Sequence, residues 1–377
     1  LTRLALSVTI SAIRGAQRPN DPYLTISEAP AWAALERLLK TPAAVAEALF
    51  RVACGRPASI RSSEVADWIR RNGPSMAAVL DADLRSTQVV VFDLSVGSPL
   101  LGADPAATTT PALTATLFEE MRRWGAEVGV GRYDEARLLY VSPLFGDESS
   151  PLDERRTVHL GVDLFVPPGS RVRAPLDGVV RIAVNNDAPQ DYGPLLVLEH
   201  RTDAGTPFFT LYGHLSDDTL VAIREGERVA AGQVIARVGA PPGNGDWAPH
   251  LHFQIIVDLL GLGRDFPGVC RDSERRLWTE VSPDPNLILG IPAERFGKAP
   301  VARESALEAR RRLIGGSVKL SYADPLRIVR GFGTYLYDDT GRAFLDMYNN
   351  VPLVGHSHPK VVEAVSRELR LLNTNTR

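Results

Sequence analysis

Five side chains of the metal-ligating type fall in three short, widely separated motifs, and a chain that uses them together must fold so that the three converge. The motifs are His159-Leu-Gly-Val-Asp163, Tyr212-Gly-His214-Leu215 and Pro249-His250-Leu-His252-Phe253. The chain has seven histidines, and four of them lie here. Imidazole and carboxylate are natural ligands of a catalytic zinc. Three protein ligands leave a fourth position open for a water, whose pKa such a zinc lowers to about 7. Two further histidines remain for proton transfer.

Spacing gives the local geometry. Residues two or four apart on a strand share a face. His250 and His252 therefore point into one space, where one can ligate while the other moves protons. His159 and Asp163 fit a flat strand by the same parity, and equally a loop or bent strand around Gly161. Neither residue type nor spacing divides the ligands from the bases. The surrounding segment, about residues 155–258, is dense in strand candidates broken by Gly, Pro and Asp: Gly178–Val184, Leu195–His200, Phe208–Tyr212 and Val234–Val238. This predicts a mostly antiparallel β domain.

A lone His-x-His is weak evidence, but three motifs in order are specific. Over about residues 150–258 they resemble the LytM/lysostaphin-type zinc metallopeptidases, which cut peptide crosslinks of bacterial cell wall. The resemblance implies that His159, Asp163 and His252 are the zinc ligands. It also implies that His214 and His250 orient or deprotonate the water and stabilise the developing oxyanion. Tyr212 and Gly213 would shape the approach to His214, and Trp247 would line the groove or pack in the core. His200 matches no motif and reads as a structural histidine.

The segment Glu225–Ile235 is similar to the hairpin of barrel-sandwich folds, which include lipoyl and biotinyl carriers. A carrier needs a modified lysine at a turn, and the only lysines are Lys40, Lys298, Lys319 and Lys360, so the carrier reading falls.

A length of 377 residues allows two or three domains. Residues 1–75 read as helical, with Thr41 as N-cap, Pro42 at the first helical position and Gly55 as the stop, then a second helix over Glu64–Arg71. They resemble the C-terminal end of an aminoglycoside-phosphotransferase-like kinase. No histidine precedes His159, so that family's catalytic histidine–aspartate motif is absent from this chain. Residues 76–150 read as a lead-in α/β subdomain or linker, with strands at Thr87–Leu94 and Leu138–Val141 and a helix over Leu113–Gly125. The peptidase-like unit spans 151–290, and 259–300 reads as a connecting stretch.

Residues 301–377 open with a charged helix, Ala302–Arg312. A strand-turn-strand follows at Tyr335–Arg342, then Gly355-His-Ser-His-Pro359 and a helix carrying Val361, Val362, Ala364 and Val365. Arg330–Asn350 and Gly355–Val362 resemble the N-terminal part of class III aminotransferases. The resemblance implies pyridoxal phosphate only in a full-length protein, because neither Lys319 nor Lys360 sits in the context of that family's cofactor lysine. It gives His356 and His358 a turn or packing role, and it implies a homodimer through a complete aminotransferase domain.

The expected fold class is thus multi-domain α+β: a helical N-terminal remnant, a central antiparallel, barrel-sandwich-like metallopeptidase domain and a partial aminotransferase segment. The expected function is zinc-dependent endopeptidase, with a short peptide or peptidoglycan fragment as substrate. The alternatives are a non-catalytic scaffold joining two metabolic enzymes, or an aminotransferase as the main activity. A net charge of −3 gives no reason to expect nucleic acid as a partner. No apolar run reaches the length of a membrane span. Leu4–Ile13 lacks a small-residue cleavage site and reads as a packed helix rather than a leader. With no export signal visible, the expected location is the cytoplasm. Cys54 and Cys270 lie far apart and read as buried free thiols. The first residue is leucine, and the expectation is a piece of a larger three-part polypeptide.

Overall fold

The computed structural model describes all residues except 1, 22, 24, 25, 27, 106, 107, 147–151, 298–302, 315–317, 321, 349–352 and 373–377. Lys298, Ala302 and Asn350, named above, lie outside the described residues.

Four helices come first: α1 Thr2–Gln17, α2 Glu28–Lys40, α3 Ala43–Ala53 and α4 Ser62–Asn72. Helix α1 packs against α2 but leaves Leu6, Ile10 and Ile13 exposed, so the expected burial of this segment is incomplete. Thr41 is not the N-cap of α3. Pro42 holds that place without a side-chain cap, and its carbonyl accepts from the Ala46 amide at 3.0 Å. Val45 and Ala48 of α3 and Val65 and Ile69 of α4 join the main core. Trp68 packs on Phe208 with ring centroids 5.6 Å apart.

The strands in chain order are β1 Val89–Phe92, β2 Val128–Gly131, β3 Glu135–Ala136, β4 Val158–His159, β5 Val162–Phe165, β6 Arg171–Arg173 and β7 Gly178–Asn186. Then come β8 Gly193–Arg201, β9 Pro207–Gly213, β10 Arg228–Val229, β11 Val234–Arg237, β12 His250–Ile256 and β13 Val269–Cys270. Eight of them form one sheet in the order β1-β2-β5-β12-β9-β8-β7-β10. Its pairings are antiparallel apart from β1 with β2. Helix α5, Thr110–Trp124, packs on β1 and β2 and stops at Gly125, whose φ of +60° is the left-handed turn that ends helices. In the middle of β8, Leu195, Leu196, Val197 and Leu198 are all fully buried. A strand covered on both faces reads as a continuous apolar run rather than an alternating one. Each such side chain contributes about 1.5–3 kcal/mol through burial.

Other expectations are corrected. Leu138–Val141 is not a strand, because side chains serve its backbone. The Gln190 amide accepts from Val141 N at 2.9 Å and donates to Leu139 O at 3.0 Å, and Arg155 donates to the carbonyls of Tyr140 and Val141. Strand β10, within the expected hairpin, and β11, which begins at its end, do not pair with each other. β10 adds to β7, and β11 forms a separate pair with β6. The stretch 259–300 is more than a connection. It carries α7 Arg275–Val281 and α8 Asn286–Leu289, after α6 Thr219–Ala222. Leu277, Trp278, Val281 and Ile288 bury in the core. Cys270 is buried, but Cys54 is exposed.

The C-terminal elements are α9 Arg303–Leu313, a sheet of β14 Ile328–Phe332, β15 Tyr335–Asp338 and β16 Ala343–Leu345, and α10 Pro359–Leu369. Among the described residues no helix is long and apolar enough to cross a membrane.

Candidate metal centre

β4 and β5 are consecutive but belong to different sheets. β4 pairs with β3 and β13, while β5 pairs with β2 and β12. The chain bends between them at Leu160-Gly161, so His159 and Asp163 approach one point from two sheets. A side chain on Gly161 would block this, since its Cβ would lie 2.5 Å from His252 Cε1. Register brings in the rest. On β12, His252 stands opposite Asp163 of β5 and opposite Gly213 of β9. His214, the next residue after β9, therefore arrives beside it. Its φ of +63° is a left-handed conformation that a residue with a side chain seldom adopts. The Tyr192 carbonyl holds its amide at 2.7 Å.

His159 Nε2, His252 Nδ1 and Asp163 Oδ1 form a triangle. His159 Nε2 lies 3.0 Å from His252 Nδ1 and 3.1 Å from Asp163 Oδ1, and His252 Nδ1 lies 3.2 Å from Asp163 Oδ1. A tetrahedral zinc bonded at about 2.0–2.1 Å separates its ligand atoms by roughly 3.3 Å. The donor set and its size therefore fit zinc. His250 Nε2 lies 3.4 Å from the same Asp163 oxygen, and the His214 and His250 rings are 4.4 Å apart. All five side chains are buried.

Each imidazole has one nitrogen facing an oxygen acceptor. His159 Nδ1 donates to Arg132 O at 2.9 Å, His214 Nδ1 to Asn244 O at 2.9 Å and His250 Nδ1 to Ala248 O at 2.6 Å. His252 Nε2 donates to Gln254 Oε1 at 3.0 Å, and the Gln254 amide is held in that sense by donating to Ser282 Oγ at 2.9 Å and to Pro267 O at 3.2 Å. With those protons placed, the other nitrogen of each ring keeps its lone pair. Burial, then the Arg137 charge, lowers His159 to about 4, and burial with its neighbours His250 and His252 holds His214 well below its ordinary value. Both are neutral at pH 7. Burial pushes the Asp163 carboxyl up, but His159, His250 and Arg137 together hold it well below the usual carboxylate range.

The spacing left the shape of the first motif open, and the structure shows the bent form. His250 and His252 share a face of β12, as their parity required. Trp247 lines the site's cavity, of about 300 Å³, together with Tyr140, Phe145, Arg156, Tyr192 and Phe266. His200 stands apart, bonded to Asp177 O and Thr210 Oγ1 at 2.8 Å each. His356 packs in the C-terminal unit, with Nε2 on Asp346 at 2.8 Å. Sequence reasoning missed Gln254, Glu135 and Arg137. Gln254 carried a signal, since it is two residues beyond His252 on the same strand face. The others carried none.

Residues 157–260 match the family model described as Peptidase family M23, so the chain carries a domain of that family there. Over 108 residues the chain is 32% identical to the peptidoglycan DD-endopeptidase ShyA of Vibrio cholerae, covering 28% of this chain and 22% of ShyA. Over 78 residues it is 41% identical to an alanine–glyoxylate aminotransferase 2-like protein of Drosophila melanogaster, covering 20% of this chain and 16% of that protein. The aminotransferase matches lie over the C-terminal region. A zinc-containing peptidase from Vibrio cholerae matches as a structure at 28% identity and a TM-score of 0.22, over 32% of this chain and 33% of that one. The chain thus spans less than a quarter of the length of either curated relative.

Proposed function

We propose that this chain contains a zinc-dependent metalloendopeptidase that hydrolyses short peptides or peptidoglycan-type crosslinks, within a larger kinase-like, peptidase and aminotransferase fusion. The observation that carries the reading is the triangle of His159, Asp163 and His252 with His214 and His250 beside it in one cavity. Zinc held by these three residues supplies Lewis acidity for polarising a peptide carbonyl.

The chain's own residues supply the rest. His250, its Nδ1 proton committed to Ala248 O, presents Nε2 as the acceptor for a proton from the attacking water. His214 stands next to it with the same tautomer, fixed by Asn244 O. Once protonated, an imidazole of this pair can hydrogen-bond the developing oxyanion or return the proton to the leaving amine. Tyr140, Phe145 and Trp247 give the cavity apolar walls that favour a peptide over a compact ion. ShyA, by its name, is a peptidoglycan DD-endopeptidase, which supports a crosslink as the substrate class. Action in the cytoplasm on precursor or recycled peptides belongs to the same proposal, as does an aminotransferase activity of a longer protein.

The test is a His250→Ala variant assayed on crosslinked peptides. The reading expects hydrolysis to fall by about 100-fold or more with zinc content retained. Unchanged hydrolysis would remove His250 from the mechanism.

A further inference from the structure

Asp163 offers one oxygen to the histidines and keeps the other for a buried arginine. Arg137 follows β3 and is 2% exposed. Its Nη1 donates to Asp163 Oδ2 at 2.6 Å, its Nε to Glu135 Oε2 at 2.8 Å and its Nη2 to Arg132 O at 2.9 Å. Tyr140 OH lies 3.3 Å from Nη1. The Arg132 carbonyl is the same one that receives the His159 Nδ1 proton at 2.9 Å. One guanidinium therefore touches one triangle residue, Asp163, directly and the backbone partner of a second, His159. The backbone makes room for it: a Cβ on Gly131 would lie 3.0 Å from Arg137 Nη2 and 3.1 Å from Asp163 Cβ.

We propose that Arg137 is the positioning residue of the metal centre: it reserves Oδ2 of Asp163, presents Oδ1 alone to the ion, and is kept in place by Glu135. The proposal rests on the zinc reading above. A carboxylate free to rotate can offer either oxygen or both, whereas a charge-assisted bond on Oδ2 fixes one. The fork of the guanidinium is what allows Asp163, Glu135 and the Arg132 carbonyl to be engaged at once, and an ammonium cannot reproduce it. Glu135 is 7% exposed and also accepts from Leu94 N at 3.2 Å, so it is anchored independently of the site. It accepts from the Arg137 Nε and so holds the guanidinium from the side away from Asp163.

The probe is zinc alone, titrated against a competing chelator, with unfolding of each metal-free variant followed in parallel. Removing Arg137 alone would leave Glu135 buried without its partner, so the informative variant is the double Arg137→Met with Glu135→Gln. The expected result is a zinc affinity lower by about 10–100-fold in a folded protein, the range for residues that orient metal ligands. Arg137→Lys, which keeps the charge, should recover only part of that loss. A folded double variant, or Arg137→Lys should the double variant not fold, that binds zinc as tightly as the parent would overturn the proposal. The parent and Asp163→Ala separate the two failures. If the parent binds no zinc, the metallopeptidase reading fails. If the parent binds, Asp163→Ala does not, and the Arg137 variants bind normally, only this inference fails.

Discussion

Gln254 receives the Nε2 proton of His252 at 3.0 Å from two residues further along the same strand, and this contact leaves Nδ1 as the nitrogen that faces His159 and Asp163. The glutamine is fully buried and its amide is fixed by Ser282 and Pro267. Replacing it by Met removes the acceptor while keeping the volume. Zinc affinity should drop by about 10–100-fold in Gln254→Met and be largely kept in Gln254→Glu, which retains an acceptor oxygen. Equal affinities in the two variants, by chelator competition, would contradict the tautomer argument.

Gly161 is required by contact rather than by backbone conformation. A Cβ there would lie 2.5 Å from His252 Cε1, 2.6 Å from its Nε2 and 2.9 Å from Phe253 O. The carbonyl belongs to a central strand and cannot give way easily. Gly161→Ala should lose about 1–3 kcal/mol of stability as an overpacked site and lose zinc with it. Urea unfolding and metal content measure both effects.

The pH dependence of stability in the metal-free protein follows from buried neutral histidines. Burial pushes His200 down to about 4, whereas an unfolded chain's histidine titrates near about 6.5. Between those values the unfolded chain binds a proton that the folded chain refuses, so stability falls as pH drops from about 6.5 to 4 and is level above that window. His159 and His214 shift in the same direction. His200→Gln should therefore flatten the slope without abolishing it, by up to about 1.4 kcal/mol per pH unit. An unchanged slope across that window would refute the assignment.

Arg330 ties the C-terminal sheet to the loop after β1. Its guanidinium donates to Val96 O at 2.5 Å, Gly102 O at 2.6 Å, Ala103 O at 2.9 Å and also to Ser98 O. Thr157 Oγ1 adds a bond to Thr340 O at 2.6 Å. Arg330→Ala should cost about 1–3 kcal/mol and make the sheet β14-β15-β16 more open to limited proteolysis. Cleavage at the parent's rate would show that the contact does not hold that sheet in place.

The sequence made the chemistry more legible than the architecture. Strand parity placed His250 and His252 on one face, because a pleated strand leaves no other choice. The central strands could be read from runs such as Leu195–Leu198. The bend at Gly161 could not, since a four-residue offset suits a flat strand, a bent one and a loop alike. Leu138–Val141 looked like a strand because its side chains are apolar. Its backbone partners are side chains of Gln190 and Arg155, distant in sequence, and no local pattern encodes that. Arg137 was hidden for a related reason. A buried arginine reads as a surface residue until its two carboxylates are brought to it by folding.

Zinc content of the purified chain beside an Asp163→Ala variant is the most direct test of the central claim. The account predicts about one zinc per chain in the parent and loss of that zinc in the variant. A parent that takes up no zinc, even after reconstitution, or a variant that holds it as tightly, would contradict it.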